Sequence, residues 1–198
     1  MKRTMRKLLT TATLALFVTV ASAAFAGAAT DVVKAKQTAL FDLLKQSSPD
    51  EKKIAAVFDE MLDYGALAEA SLGSEWANRT DAEKKEFSDL LKQLVRKAYE
   101  KNLKKTLNYD ITYVSEEQKD GAYIVKTTAK SKTDAKEDPI AIDFKMVQKD
   151  GKWRVSDIST EGVSLVGSYR SQFTKIIKKD GFPALITKMK DKIAKGDV

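Results

Sequence analysis

YDITYVSEEQKDGAYIVKTTAKSKTDAKEDPIAIDFKMVQKDGKWRVSDIST, residues 109–160, is where the apolar residues of this chain change from a helical period to a period of two. Tyr109, Ile111 and Tyr113 alternate with polar neighbours, as do Tyr123, Val125, Thr127 and Ala129, then Ile140, Ile142, Phe144 and Met146, then Trp153 and Val155. Strict alternation places one set of side chains on one face, as in a half-buried strand. Four such strands in succession predict an antiparallel sheet. Asp150-Gly151 favours a two-residue hairpin with positive φ at both positions. That turn pairs Lys149 with Lys152, and hence Met146 with Val155, Phe144 with Asp157 and Ile142 with Ser159. The apolar faces then agree except at Asp157. The same turn at Asp120-Gly121 would put Tyr113 opposite Thr128 and split the apolar sides between two faces. A loop longer by one residue, or a bulge, restores Tyr113 to Thr127 and Ile111 to Ala129, and the longer loop is the expectation. The polar stretch from Lys132 to Asp138, ending before Pro139, joins the second strand to the third.

Helical signals flank the strands on both sides. Asp31 to Gln46 reads as a first helix, with Val33, Leu40, Leu43 and Leu44 on one side. Ser48, Pro49, Asp50, Glu51 predicts a helix start in which Ser48 caps, Pro49 occupies the first turn and Glu51 completes a capping box. The helix that follows buries Ile54, Val57, Phe58, Met61 and Leu62. Tyr64 to Leu72 predicts a short third helix stopped by Gly73. Thr80 to Glu83 is a second capping box, opening a long helix whose Phe87, Leu90, Leu91, Leu94, Val95, Ala98, Tyr99 and Leu103 recur at spacings of three and four. At the other end Val166, Tyr169, Phe173, Ile176 and Ile177 form a stripe broken at Asp180-Gly181. Pro183 then opens a last helix with Leu185, Ile186, Met189 and Ile193 as its apolar side. The architecture expected is α+β: a four-stranded antiparallel sheet with N- and C-terminal helices on one face.

The first 26 residues set the compartment. Lys2, Arg3, Arg6 and Lys7 precede an acid-free apolar run, Leu8 to Val20, that ends in Ala21, Ser22, Ala23, Ala24, Phe25, Ala26. This is the pattern of a secretory signal peptide, with cleavage after Ala26 or Ala23 fitting equally well, and it is too short and wrongly flanked for a membrane span. No cysteine stands at the junction to carry a lipid. Residues 27–198 are expected to form a single domain working in the periplasm, outside the cytoplasmic membrane. Losing the leader removes four basic residues and no acid. The count falls from 35 basic and 28 acidic residues, net +7, to 31 and 28, net +3. The remaining Lys and Arg are spread among acids, which argues against a nucleic-acid partner.

The chain has no cysteine and no histidine. Disulfides are therefore excluded, as is thiol chemistry, and the commonest general base and transition-metal ligand are missing. No metal or cofactor is expected. Among the remaining candidates, Asp157, Glu161 and Arg170 could form a buried charge cluster, for which a structural role joining strand to helix is the commoner outcome. Gly162 suits a turn that needs a residue without Cβ. The second candidate is the covered sheet face, where Tyr113, Val125, Ile142, Phe144, Met146, Trp153 and Val155 would look toward Phe87, Leu91, Leu94 and Leu103. Such residues fill a core or wall a cavity, and their spacing suits both.

Two stretches resemble the MlaC and toluene-tolerance family. In the first, Leu72, Gly73, Trp76, Thr80, Phe87, Leu90, Leu91 and Tyr99 match the family's offsets. In the second, Trp153, Val155, Asp157, Ile158, Glu161, Gly162, Val163, Ser164, Leu165, Tyr169, Arg170 and Phe173 match its strand-turn-helix run. Agreement runs in order from about Asp31 to Ile193, with Lys84-Lys85 standing where relatives usually carry Gln-Arg. The resemblance implies a soluble periplasmic carrier of phospholipid, not an enzyme. It would exchange lipid between an outer-membrane lipoprotein complex and an inner-membrane ABC transporter with an MCE-domain subunit. It also implies that the sheet-face residues and the facing helix enclose an apolar cavity, with Trp153 and Phe144 as principal wall, and that Arg170, Lys97 or Arg96 meets the phosphate at the mouth. Nothing demands more than a monomer. Two other readings stay open: a ketosteroid-isomerase-like cone with Asp157 as base, and a periplasmic adaptor with a filled interior.

Overall fold

Asp150 and Gly151 both adopt positive φ, 50° and 70°, as a two-residue primed turn requires, and Lys149 faces Lys152 across them. The computed structural model that shows this describes residues 27–196, without the side chains of residues 100–104. The segment read as a signal peptide lies outside the described residues. From the turn, strands β3 (Ile140–Lys149) and β4 (Lys152–Thr160) pair Met146 with Val155 as predicted. The register then slips by one residue. Phe144 faces Ile158 and Ile142 faces Thr160, in place of the predicted Asp157 and Ser159. Ser156 is the unpaired residue, and its hydroxyl donates to the Lys145 carbonyl at 3.2 Å. This bulge puts apolar Ile158 on the buried face and moves Asp157 off it, which removes the one mismatch in the predicted pairing.

The other hairpin is corrected in the same way. Asp120 and Gly121 also take positive φ, 50° and 74°, so β1 (Tyr109–Lys119) and β2 (Ala122–Ser131) keep the tight turn, with Lys119 facing Ala122. Tyr113 faces Thr127 and Ile111 faces Ala129 as predicted, but the extra residue is a bulge at Val114 and not the longer loop. Asp-Gly satisfies the turn locally, and a bulge disturbs little in β1, which lies at the edge of the sheet and leaves Val114 60% exposed. A third turn, Glu161-Gly162 with φ of 50° and 74°, folds β4 back into β5 (Val163–Ser164). The antiparallel sheet thus has five strands in sequential order, not four. Two residues are too few to show a period.

Caps place the helices. α1 (Ala28–Leu44) starts earlier than predicted because Glu116 of β1 accepts from the Gly27 and Thr30 amides and the Thr30 hydroxyl at 3.2, 2.8 and 2.7 Å. A carboxylate at a helix N-terminus satisfies orphan N–H groups and complements the dipole. α2 (Glu51–Met61) is capped by Asp50, which accepts from the Lys52 and Lys53 amides, and not by Ser48. α3 (Tyr64–Leu72) stops at Gly73 with φ of 57°, followed by a 3-10 turn over Gly73–Asn78. α4 (Asp81–Thr106) opens with the reciprocal Thr80–Glu83 capping box. α5 (Leu165–Asp180) and α6 (Phe182–Lys195) are separated at Gly181, with Pro183 in the first turn of α6.

The core lies between the inner sheet face, Val125, Phe144, Met146, Val155 and Ile158, and the apolar sides of the helices. Phe87 of α4 is 0% exposed. Its ring meets Phe173 of α5 edge-on at 5.5 Å and Phe182 of α6 at 6.4 Å, so one side chain joins three helices. The α2–α3 joint is stitched to β4 by the Asp63 amide, which donates to the Val155 carbonyl at 2.9 Å. Arg154 donates to the Asp59 and Glu60 carbonyls at the end of α2, at 2.8 and 2.5 Å, covering groups that a helix leaves unpaired. Asp59 in turn ties α2 to α4, accepting from Lys92 at 3.0 Å and from the Arg96 guanidinium. Partial burial works against its charge, but the bonds from Arg96 and Lys92 prevail and hold its carboxyl below the ordinary value of 3.8.

Two outcomes are expected. Phe87→Ala should cost about 3–5 kcal/mol, the usual range for emptying a buried aromatic site, read as a lower urea midpoint at unchanged m-value. Asp59→Asn should destabilise most at neutral pH. A carboxyl whose pKa falls on folding stabilises above its unfolded value and loses that contribution as pH drops through the folded one, so the difference from wild type should shrink in acid below about pH 4. Denaturation across pH measures it, and a difference independent of pH would contradict the role given to Asp59.

Candidate functional site

Three helices converge on an apolar groove. Tyr169, Phe173 and Ile176 recur at helical spacing on α5, Leu185 and Met189 do so on α6, and Leu94 reaches them from α4. Together they line an open space of about 470 Å³, within the range of small-ligand sites. Its polar rim is formed by Gln172, Lys188, Asp191, Lys192 and Lys195. A second recess of about 210 Å³ lies between Val95, Ala98 and Tyr99 of α4 and Leu165 and Tyr169 of α5. Tyr169 therefore lines both spaces. Its ring stacks on Phe173 at 5.2 Å and 11°, and burial pushes its hydroxyl pKa up, as it does for Tyr99. Both phenols are neutral at physiological pH and add no charge to the walls.

The predicted sheet-face residues sit elsewhere. Val125, Met146 and Val155 are fully buried, as are Phe87 and Leu91 on the helix side, and Phe144 nearly so. Tyr113, Ile142 and Trp153 are partly buried against this core. Trp153 meets Tyr123 edge-on at 5.0 Å, while Tyr113 donates to Gln37 and its hydroxyl is pushed up to about 12 by burial. Leu94 is the member of the set that lines the groove, and the Leu103 side chain lies outside the described residues. The groove residues that the sequence left unassigned, Tyr169, Phe173, Ile176, Leu185 and Met189, read as ordinary core stripes. The signals they did carry were the helical spacing of the two stripes and the place of Tyr169 and Phe173 in the family-like run.

The three predicted mouth cations are held apart. Arg96 is bound to Asp59. Lys97 donates to the Ile193 carbonyl at 2.7 Å, in the last turn of α6. Arg170 donates to the Ala70 carbonyl at 2.7 Å and packs where a Cβ on Gly73 would come within 3.3 Å of it. Arg170 faces a different cleft of about 460 Å³, whose mixed lining includes Glu69, Lys145, Val147 and Asp157.

Asp157 and Glu161 do not join Arg170 in a charge cluster. One Asp157 oxygen accepts from the Ile158 and Val166 amides at 2.8 and 3.1 Å, and the other from the Ser164 hydroxyl at 2.5 Å. The carboxylate thereby fixes the entry to α5. Glu161 accepts from the Ala141 amide and straps the β4–β5 turn to β3, with Gly162 supplying the second positive φ of that turn. Among the described residues no group of three or more acidic side chains is placed to hold a metal, and no helix is long and apolar enough to cross a membrane.

Three comparisons bear on this arrangement. No curated protein matches the sequence. Among solved structures, a phospholipid-binding protein from Ralstonia solanacearum, determined in complex with a phospholipid, superposes with a TM-score of 0.72 at 21% identity. The match covers 86% of this chain and 99% of that one, and at this identity it establishes a shared fold. The family model described as MlaC protein matches residues 28–191, nearly all of the described chain, and on that match this chain belongs to the MlaC family.

Proposed function

We propose that this protein is a soluble periplasmic phospholipid carrier. It would move lipid between an outer-membrane lipoprotein complex and an inner-membrane ABC transporter with an MCE-domain subunit, and so help maintain outer-membrane lipid asymmetry. The observation that carries the reading is the open apolar groove between α4, α5 and α6, continued past Tyr169 by a second apolar recess, in a member of the MlaC family. The fold it shares with a protein solved with phospholipid bound lends further support. Two acyl chains carry about thirty methylenes, so their exposure to water would cost ~24 kcal/mol gross at ~0.8 kcal/mol each. Lipid does not cross an aqueous gap unaided against such a barrier, and a carrier needs only to cover the chains.

In this reading the chains enter the groove and run to either side of Tyr169. The packed sheet-face residues Tyr113, Val125, Ile142, Phe144, Met146, Trp153 and Val155, with Phe87, Leu91, Leu94 and Leu103 of α4, form the deeper wall, reached where helices part from sheet. Stacked rings and unbranched side chains such as Met146 and Met189 adapt to a sliding chain at small cost. The enzyme alternative loses its candidate base, because both Asp157 oxygens are committed to hydrogen bonds that shape the backbone. The adaptor alternative leaves the open apolar groove without a use, whereas a carrier needs it.

Protein purified without detergent and extracted with organic solvent should yield intact phospholipid by mass spectrometry. Ile176→Glu, which sets a carboxylate in the partly exposed groove wall, should reduce that load at least about tenfold, since an unpaired charge in an apolar site costs several kcal/mol. Its circular dichroism should be unchanged. Recovery of no lipid, or a folded Ile176→Glu protein with the wild-type load, would refute the assignment.

A further inference from the structure

The net charge of +3 conceals a division of the chain into two differently charged parts. Residues 27–164 hold 23 basic and 25 acidic residues, a net of −2, whereas α5 and α6 hold eight basic and two acidic ones. The helical hairpin that forms two walls of the groove thus carries the excess positive charge. At the rim, Lys188, Lys192 and Lys195 follow one another at helical spacing along one side of α6, and residues three and four apart lie over one another on a helix. Lys188 is engaged by Asp180 at 2.8 Å, and Lys97, across the last turn, holds the Ile193 carbonyl. Lys192 and Lys195 are exposed and, among the described residues, have no ionic or hydrogen-bonding side-chain partner. Among the described residues Asp191 is the further acid at this rim, so Lys188, Lys192 and Lys195, with Lys97 on the neighbouring turn, outweigh Asp180 and Asp191 by two charges.

Resting on the carrier reading, we infer that the groove selects phospholipids with a net negative headgroup, of the phosphatidylglycerol kind, over zwitterionic ones of the phosphatidylethanolamine kind, through Lys192 and Lys195. Every phospholipid brings a phosphate that these lysines attract. The distinction lies in the rest of the headgroup. An ethanolamine ammonium adds a cation to a rim already in positive excess and cancels the charge of the phosphate, whereas glycerol leaves that charge whole and offers hydroxyl groups to the same ammonium donors. The contacts are exposed, so each contributes modestly and is screened by salt. Two of them give a preference of about fivefold at low ionic strength. That is a bias on cargo and not a gate.

The test loads lipid-free protein from vesicles holding equal parts phosphatidylglycerol and phosphatidylethanolamine with identical acyl chains, and reads the bound species by native mass spectrometry. About fivefold enrichment of phosphatidylglycerol is expected, with loss of most of it at about 0.5 M salt. Lys192→Gln/Lys195→Gln should return the ratio to that of the vesicles while keeping the total load. Lys34→Gln/Lys45→Gln, an equal charge change at exposed positions in α1 and at its C-cap, should keep the enrichment. Uptake of both lipids in equal amounts, or loss of the enrichment in the α1 control as well, would overturn the inference while leaving lipid carriage intact. Failure to take up either lipid would refute the carrier reading and this inference with it. Calorimetry with inorganic phosphate supplies the last arm: two exposed lysines hold a phosphate only weakly unless the acyl chains are seated, so phosphate binding as tight as that of the lipid, and abolished by Lys192→Gln/Lys195→Gln, would assign the lysines to free phosphate and overturn the headgroup assignment.

Discussion

Which side chains reach the interior of this protein depends on two unpaired backbone positions, Val114 and Ser156. Successive residues of a strand point to opposite faces, so a shift of one residue exchanges every buried side chain for its exposed neighbour. Asp-Gly turns fix the closed ends of both long hairpins, and the apolar alternation beyond those turns is out of step by one. A single bulge in each hairpin reconciles turn and face. Without the bulge at Ser156, Asp157 would sit in the core and Ile158 in solvent. With it, Asp157 is freed to hold the start of α5, and α5 forms one wall of the groove. The bulge in β4 thereby helps to position the site.

The long helix α4 serves two compartments. Phe87 and Leu91 are spent on the core, while Leu94 opens onto the larger groove and Val95, Ala98 and Tyr99 onto the smaller recess. The helix is anchored by Phe87 between α5 and α6, by Lys92 and Arg96 on Asp59, and by Lys97 on the Ile193 carbonyl of α6. The open spaces border it among these ties, from Leu94 to Tyr99. Tyr169, stacked on Phe173 and facing both spaces, divides the apolar volume into two parts of unequal size.

Charge follows the same division. Much of the chain pairs its ions locally across elements, as between Asp59 and α4 or Lys126 and Glu117. Positive excess accumulates on α5 and α6, where the groove opens. A modest total is compatible with a strong local bias, because screening confines exposed charges to about 8–10 Å.

Legible in the sequence were the α+β order, the strands β1 to β4, the Asp150-Gly151 hairpin turn, the stop at Gly73, the Thr80 capping box and the break at Gly181. Each of these rests on a local rule, whether a period of two or 3.6, a positive φ, or a side chain three residues from the amide it caps. Where an element's start depended on a distant partner, the sequence was silent: Glu116 sets the beginning of α1 from 86 residues away. For the first hairpin a longer loop, the expectation, and a bulge restore the same faces, so the period of two cannot choose between them, and the pairing of β1 with β2 selects the bulge at Val114. The covered sheet face, with Phe144 and Trp153, was legible as apolar. Whether such residues fill a core or border a void is settled by how closely helices and sheet approach, and that distance belongs to packing. The same holds for Arg96, Lys97 and Arg170, whose charges the sequence displays and whose partners, Asp59, Ile193 and Ala70, only the tertiary structure supplies.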